Sequence, residues 1–484
     1  MSNDSIKAKT IVGMIWSAIQ KFGCAFLSFI TNIVLARLLT PDDFGCIGLI
    51  TIFILVSQIF IDGGFGDALV QKNKSTQRDY STIFYWNLAL SVTIYGSLFI
   101  SSEFISRFFN IENLGEILRS IGLILIINAI GFISRNRLRK KLNFKAIAII
   151  EVVASSISTI IAIVSAYNGF GVYSLVFFNL SNSIIKTVLF ILTERWLPSL
   201  VFDWESFKQL FSFGSFILLS DLLNTICDNI QGIIIGKLYL PSTMGYYAQA
   251  KKLEEVPNTT MSGIVTQVSF PIFAQIKDSV NSIYAAHRKC FICISYFSIP
   301  IILFLIVAAK PIILLLYTQK WENSIFFFQI LCLGATAYCI QSVNYQLFVA
   351  LGYSKQMFKW NIFKRVIGIV LIACSSVAGV TGLLFACSFN MWLVYIVNGI
   401  LAGKKSGYSL YKQIKELLPI VIISVVAGCS TYFVAISNIN NSLLSLVFSG
   451  FLYFSLFLAL SKLLNIEALS IYLDIIKSKI RNDR

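Results

Sequence analysis

The sequence predicts an all-α membrane protein whose chain crosses the bilayer many times. Of its 484 residues, 57% are hydrophobic and only 13% are charged, and the mean hydropathy is +0.78. That composition is too apolar for an ordinary soluble domain. Two further observations predict the same class. The apolar residues are grouped in runs long enough to cross a membrane, and the basic residues are concentrated between alternate runs.

Fourteen apolar segments follow one another along the chain, and a helix needs about 20 residues to cross roughly 30 Å of hydrocarbon. The first six cover residues 11–35, 44–61, 81–100, 117–133, 146–166 and 172–192. The remaining eight cover residues 210–235, 244–272, 290–308, 324–350, 360–378, 382–401, 418–435 and 443–460. We therefore predict about 14 transmembrane helices joined by short loops.

The basic residues test this helix count, because a wrong count would scramble the alternation of basic and non-basic loops. With the N-terminus placed in the cytoplasm, the segments on that side contain 27 Lys and Arg residues. The opposite loops contain five, which are Arg37, Arg107, Lys237, Lys310 and Lys320. We therefore predict that both termini are cytoplasmic. The net charge of +16 comes from these helix flanks, so no nucleic-acid partner is expected.

Two stretches 200 residues apart, 33–48 and 233–248, share a pattern. Aligned without a gap, they match Arg37 to Lys237, Leu38 to Leu238, Pro41 to Pro241 and Gly45 to Gly245. Each copy is typical of a helix end, a short turn and a second helix with Pro at its start. Six predicted helices separate the copies, so a duplication would place two parallel repeats about a pseudo-two-fold axis along the membrane normal. A chance match is the alternative.

The repeat predicts two pseudo-symmetric six-helix lobes, residues 1–195 and 196–415, followed by transmembrane helices 13 and 14 in residues 416–463. Residues 464–484 are predicted to form a cytoplasmic amphipathic tail that lies on the membrane surface. Its apolar residues recur at helical spacing and are Leu469, Leu473, Ile476 and Ile480. We predict a similar interfacial segment at residues 104–118 on the outer face.

Histidine and cysteine usage excludes several kinds of active site. His287 is the only histidine, which rules out a multi-His metal site. We predict that it lies on a solvated loop beside Arg288. The ten cysteines lie mostly inside apolar runs and are interpreted as small buried hydrophobes. Because no soluble catalytic domain is left between the short loops, we expect no catalytic residue, metal or cofactor, and a protein that is not an enzyme.

Charges inside predicted spans are the candidate functional residues, because each is costly unless it faces water, a partner or a substrate. Lys21 lies in the first span, and the 200-residue offset places Asp221 at the equivalent position of the seventh. The seventh span carries a narrow polar face of Asp221, Asn224, Asp228 and Gln231. The eighth carries a second face of Lys251, Glu255, Asn258, Ser262 and Thr266. The structural alternative is that Lys21 pairs with Asp221, and Lys251 with Glu255, only to neutralise charge.

Several stretches resemble the polysaccharide transporter family of bacterial flippases, in the superfamily of multidrug, oligosaccharidyl-lipid and polysaccharide exporters. They are LARLLTPDDFG, GFGDALVQKNKSTQRDYSTIFYWNLAL, NRLRKKLNFKAIAIIEVVA and the run from Asp228 to Asp278, which contains IIIGKLYLPSTMGYYAQAKKLEEVP. The resemblance covers essentially the full length. It implies a fourteen-helix transporter that moves undecaprenyl-diphosphate-linked oligosaccharide repeat units across the bacterial inner membrane by alternating access. The products would be lipopolysaccharide O-antigen, capsule or another exopolysaccharide.

The resemblance also implies roles for the intramembrane charges, because related flippases line their cavity with basic residues from helices one, two and eight. Lys21 and Lys251 occupy such helices and are expected to contact the diphosphate, whereas the second span has no basic residue. The expected ligands of sugar hydroxyls or of a cation are Asp221, Asn224, Asp228 and Asn258. We further hypothesise that substrate phosphate competes for a Lys21–Asp221 pair.

The resemblance implies three partners: the lipid-linked oligosaccharide, membrane lipids and a polysaccharide polymerase. Two other functions stay open at this point. A drug or cation antiporter of the same superfamily would share the helix count and the duplication. A membrane glycosyltransferase or polymerase would need a substantial soluble loop or an acidic catalytic motif, and the sequence shows neither.

Overall fold

A computed structural model of the chain describes residues 3–276, 279–436, 439 and 441–482. Within these residues all regular secondary structure is helical and no strand is present. The predicted all-α class is therefore confirmed.

Among the described residues, eight helices precede the second copy of the repeated turn. They are α1 (Asn3–Leu38), α2 (Pro41–Asp62), α3 (Phe65–Gln71), α4 (Gln77–Phe109), α5 (Leu114–Lys140), α6 (Phe144–Tyr167), α7 (Tyr173–Glu194) and α8 (Trp204–Leu238). Nine helices follow in the part of the chain that the structure describes. They are α9 (Pro241–Gln275), α10 (Val280–Val307), α11 (Ala309–Tyr317), α12 (Asn323–Ala350), α13 (Ser354–Ser375), α14 (Gly379–Ser406), α15 (Leu410–Thr431), α16 (Ser442–Leu463) and α17 (Glu467–Asn482). Each predicted span lies on one long helix to within four residues at its ends.

Twelve helical stretches of the described residues are long and apolar enough to cross a membrane. The number is lower than 14 for two reasons. α9 is too polar to qualify, and α13 and α14 together form one continuous apolar stretch, Lys359–Ser406. The structure thus confirms a multi-pass helical membrane protein, and the predicted count of 14 is approximate.

The chain divides into two compact units, Met1–Gly245 and Tyr246–Arg484. In the N-terminal unit α4 packs on α5, α6 packs on α1 and α7, and α8 packs on α2. In the C-terminal unit α10 packs on α12 and α15 around a core that includes Phe291, Tyr395 and Tyr408. The division into 1–195, 196–415, 416–463 and 464–484, which rests on the repeat, stays a prediction.

Short sequence signals set both ends of α2. The Thr40 hydroxyl accepts a hydrogen bond from the Asp43 amide at 3.3 Å, and the Asp43 carboxylate accepts one from the Thr40 amide at 2.9 Å. This capping box, with Pro41 at the first helical position, starts the helix. The helix ends at Gly63 and Gly64, whose φ angles of 53° and 70° favour glycine. The chain then resumes as α3.

The two repeated turns pack directly against each other within the N-terminal unit. A Cβ added at Gly45 would lie 1.9 Å from the Pro241 carbonyl oxygen, and a Cβ at Gly245 would lie 1.9 Å from the Pro41 carbonyl oxygen. Only glycine permits so close an approach of two backbones. The contact is reciprocal, as a two-fold axis requires, which supports the interpretation of the two stretches as repeats.

Residues 104–118 do not form a separate interfacial helix, so that prediction is wrong. α4 continues to Phe109 and α5 begins at Leu114. Between them, Asn110 and Asn113 adopt left-handed backbone angles, with φ of 55° and 63°. Asparagine enters this region more readily than most residues. The polar positions of the segment therefore belong to a turn between two long helices.

His287 is buried, and the prediction of a solvated loop is also wrong. Its side chain is 0% exposed, and its ring nitrogens lie 2.8 Å from Ser406 Oγ and 2.9 Å from Asn344 Oδ1. Hydrogen bonds at both nitrogens satisfy the buried ring. The prediction failed because α10 begins at Val280, well before the apolar run that marks it in the sequence.

Most of the predicted tail forms α17, which packs on α10. Ala468 is fully buried, and the Tyr472 hydroxyl donates to the Cys293 carbonyl oxygen at 3.0 Å. Arg288 donates to the Glu467 carboxylate at 2.8 Å, and this bond holds the pKa of Glu467 below its usual range. A position on the membrane surface stays a prediction.

Candidate functional site

The N-terminal unit contains a polar cavity of about 460 Å³ among its long helices. Side chains of α2, α3, α5, α6, α7 and α8 line it. Its charged lining residues are Asp62, Asp67, Arg135, Arg139, Glu151, Lys186 and Asp221. Because charges within membrane helices are costly unless they face water or a ligand, this cavity is the strongest candidate site among the described residues.

Glu151, on α6, is a cavity carboxylate that is hydrogen-bonded at both of its oxygens. Its side chain is 12% exposed, and Oε1 accepts a hydrogen bond from Arg135 Nη2 at 3.0 Å. Oε2 accepts a second hydrogen bond from Gln20 Nε2 of α1 at 2.7 Å. Both carboxylate oxygens are therefore engaged, and Arg135 supplies the opposite charge that a nearly buried carboxylate requires.

A second polar group lies at the C-terminal end of α2. Gln58 Nε2 donates to Asp62 Oδ1 at 2.8 Å, and Gln58 Oε1 accepts a hydrogen bond from Asn128 Nδ2 at 3.1 Å. Near the same end, Arg139 and Asp67 form a half-exposed ion pair at 2.7 Å. The cavity thus presents amide groups as well as charges of both signs.

Lys186 differs from the other two cations of the cavity. It lies in α7, about 4 Å along the axis from the helix midpoint at 1.5 Å per residue. Its charged neighbours are Glu151 and Arg135. Among the described residues, however, no acceptor hydrogen-bonds its ammonium group and no carboxylate pairs with it. It is a half-buried cation with room for an anion.

Of the seven predicted site residues, Asp221 is the one that lines this cavity. Lys21 is exposed on α1, and in the described part of the chain it forms no ion pair with Asp221. The expected pair is therefore wrong in this structure. The physical reason is that α1 packs along α6, whereas α8 packs along α2, so equivalent sequence positions do not face each other. Asn224 is half-buried and Asp228 exposed further along α8.

The other three predicted residues belong to α9 in the C-terminal unit. Asn258 donates to Glu254 Oε1 at 2.9 Å, and Glu254 is 8% exposed. Glu255 is exposed, and Lys251 Nζ lies 5.9 Å from the centre of the Tyr247 ring. The buried carboxylate of this face is therefore Glu254, which the spacing argument missed because it counted from Glu255.

Sequence reasoning also missed Glu151 and Lys186, although a signal was available. Each is the only charged residue in its predicted span, 146–166 and 172–192 respectively, just as Lys21 is in the first. Arg135 was counted with the cytoplasmic flank that follows its span. The criterion was sound, but it was applied to the repeated helices alone.

The described residues thus form a multi-pass helical membrane protein with a polar cavity in its N-terminal unit. Two solved structures share this fold: the lipid II flippase MurJ in an inward closed conformation, with a TM-score of 0.76, and an inward-facing MATE-family multidrug transporter, with a TM-score of 0.60. The MurJ structure is 16% identical to this chain and covers 96% of it and 100% of its own chain. The MATE-family structure is 14% identical and covers 82% of this chain and 98% of its own.

The chain belongs to a family described as polysaccharide biosynthesis protein, whose sequence model matches residues 34–326. A teichuronic acid biosynthesis protein of Bacillus subtilis, TuaB, is 25% identical over 90% of both chains. A lipopolysaccharide biosynthesis protein of Escherichia coli, WzxC, is 25% identical over 82% of this chain and 81% of its own. The succinoglycan biosynthesis transport protein ExoT of Rhizobium meliloti is 23% identical over 80% and 79%. The resemblance drawn from the sequence is confirmed.

Proposed function

We propose that this protein is a flippase for undecaprenyl-diphosphate-linked oligosaccharide repeat units in the synthesis of O-antigen, capsule or another exopolysaccharide. Relatives are named for the biosynthesis of teichuronic acid, lipopolysaccharide and succinoglycan, and the fold is that of a lipid II flippase. The observation that carries the proposal is the cavity of charges and amides among membrane helices.

The chemistry of such a substrate matches the chemistry of this lining. A diphosphate and several sugar hydroxyls cannot enter hydrocarbon without losing the hydrogen bonds they make to water. Cationic, carboxylate and amide side chains replace those bonds, while the lipid tail remains in the bilayer. Alternating access would then expose the occupied cavity first to one side and then to the other. We propose that the substrate moves without covalent change.

The residues predicted from the sequence keep proposed roles in this scheme. Asp221 would accept hydrogen bonds from sugar hydroxyls in the cavity, and Asn224 and Asp228 would extend that path along α8. Lys21 on α1 and Lys251 on α9, which lie outside the lining of this cavity, would each contact phosphate at another stage of transport. Asn258 of α9 would bind sugar hydroxyls or a cation, and Glu255 would lie on the same face of that helix. These roles are supported by the free-energy cost of placing polar side chains on membrane-spanning helices, since such residues usually face water or a ligand.

We further propose a bacterial inner membrane location, both termini in the cytoplasm and a polysaccharide polymerase as partner. The described segments that join long helices at the predicted cytoplasmic side are basic, including residues 135–141 at the end of α5. That distribution supports the orientation. Cysteine accessibility to a membrane-impermeant reagent tests it: Cys placed at residue 74 should stay unlabelled in intact cells.

Deletion of the gene tests the function directly. We expect lipid-linked oligosaccharide to accumulate on the cytoplasmic leaflet and surface polymer to be lost, with both effects reversed by the wild-type gene. Unchanged glycolipid together with lost efflux of cationic dyes would contradict the proposal and favour the antiporter.

A further inference from the structure

The charges of the cavity are divided between two groups of helices. Asp62 and Asp221 belong to α2 and α8, which pack against each other. Arg135 and Lys186 belong to α5 and α7, which also pack against each other. Apart from the Arg139–Asp67 ion pair and Glu151 on α6, the cavity therefore has an acidic lining on one pair of helices and a basic lining on another.

The basic group has fewer negative charges than positive ones. Its carboxylate, Glu151, is bound by Arg135 at 3.0 Å and by Gln20 at 2.7 Å. Arg135 is 57% exposed despite this pair, so its guanidinium reaches open space as well as Glu151. Lys186 lies near the same carboxylate and makes no ion pair with a described residue. Glu151 is thus the one carboxylate that Arg135 hydrogen-bonds, and Asp62 of α2 is a further charged neighbour of Arg135. Lys186 has no ion pair of its own, which leaves capacity for another anion at its ammonium group.

We propose that Lys186 and Arg135 form the site for the diphosphate group of the lipid-linked substrate, and that Glu151 substitutes for that diphosphate while the site is vacant. The inference rests on the proposed function and deepens it. On binding, Arg135 exchanges Glu151 for a phosphate oxygen, and Lys186 gains the ion pair that it lacks. Glu151 keeps its hydrogen bond from Gln20.

The residue types suit this exchange. Guanidinium binds carboxylate and phosphate with the same fork geometry, so Arg135 can pass from one to the other. Ammonium acts as a compact point charge and binds phosphate without a fixed direction. The carboxylates of the opposite lining, Asp62 and Asp221, accept hydrogen bonds, and sugar hydroxyls supply them. A ligand with a diphosphate at one end and sugars at the other satisfies both linings.

Binding to the purified full-length protein in nanodiscs tests the site, with farnesyl diphosphate as the probe. Loss of a charge-assisted hydrogen bond should weaken binding by about tenfold or more in Lys186→Met. Glu151→Gln removes the internal competitor and should tighten binding, a gain that misfolding does not produce. The matched control is Lys208→Met, because Lys208 is exposed on α8 of the same unit, outside the cavity lining. It should bind as the wild type does.

Unchanged affinity in Lys186→Met, or weaker binding in Glu151→Gln, would overturn the site. Inorganic pyrophosphate, as a second probe, distinguishes a lipid-linked diphosphate from a free one. Binding much weaker than that of farnesyl diphosphate supports a lipid-linked ligand, and equal binding overturns that assignment. Polymer production in cells distinguishes failure of the diphosphate site from failure of the flippase function. Normal polymer with Lys186→Met in a strain that needs the gene overturns the site alone, whereas normal polymer after gene deletion overturns the flippase function alone.

Discussion

A charged side chain in a membrane helix is stabilised only by the groups it faces, and this chain shows two outcomes. Glu151 is nearly buried and has a hydrogen bond at each oxygen. Lys186 has a polar cavity and no paired anion among the described residues. Full compensation is typical of a structural role, while incomplete compensation favours a ligand. In the proposed diphosphate site, Glu151 is the anion that Arg135 hydrogen-bonds before substrate arrives.

Lys21 and Asp221 are expected to act independently of each other. They form no ion pair in the described structure, so Lys21→Ala and Asp221→Asn should change the free energy of unfolding additively, within about 0.5 kcal/mol. A double-mutant cycle by denaturant unfolding in detergent measures the coupling. Arg135→Gln with Glu151→Gln is the matched comparison and should exceed that limit, since those side chains are 3.0 Å apart. Coupling at the first pair and none at the second would contradict the assignment.

At the residue scale the sequence could predict which side chains need a partner, but not which partner they have. Asp221 was identified from its place in an apolar run, and it does line the cavity. Its expected pairing with Lys21 failed because helix neighbours depend on packing, which a 200-residue offset does not contain. His287 failed for a related reason, since burial depends on where α10 begins.

Elements were predicted more reliably than residues, because a run of apolar residues has no other stable place than a membrane helix. Every predicted span lies on a long helix to within four residues at its ends. The errors lie at the ends, where polar residues extend a helix beyond its apolar part. α4 and α10 both extend beyond their apolar runs, and the cavity-lining charges Arg135 and Asp62 lie in such end regions of α5 and α2.

The docking of α17 on α10 is expected to depend on Glu467. Glu467→Gln removes the charge that Arg288 binds and should speed amide hydrogen exchange in α17, with little change in α10. Asp474→Asn is the control, because Asp474 is exposed on the same helix. Equal exchange in the two variants would contradict the role of the ion pair.

The pH dependence of this docking follows from the pKa of Glu467. Arg288 lowers that pKa in the folded protein from an ordinary value of 4.5. The contribution of the pair is therefore complete above pH 4.5 and is lost as the pH falls through the lowered pKa. Exchange in α17, corrected for the intrinsic rate, should be the same at pH 6 and pH 8. A change between those values would assign the docking to another group.

For the whole molecule, the structural core depends on close backbone contact at the repeated turns. Gly45→Ala would place a methyl group 1.9 Å from the Pro241 carbonyl oxygen, so the helices must separate. We expect a loss of about 1–3 kcal/mol, measured by thermal unfolding in detergent. Gly96→Ala is the matched control, since a Cβ there meets no atom within 4 Å. It should leave the melting temperature unchanged or slightly higher. Equal melting temperatures for both variants would show that the turns tolerate separation.

The reciprocal glycine contact has the form of an isologous interface, the kind that two identical subunits make across a dyad. If the chain descends from a homodimer, gene fusion made the two copies free to diverge wherever they do not meet. The turns show this division: Asp42 and Asp43 of one copy correspond to Ser242 and Thr243 of the other. The Pro and Gly positions that touch are the same in both, because each copy is the other's binding surface.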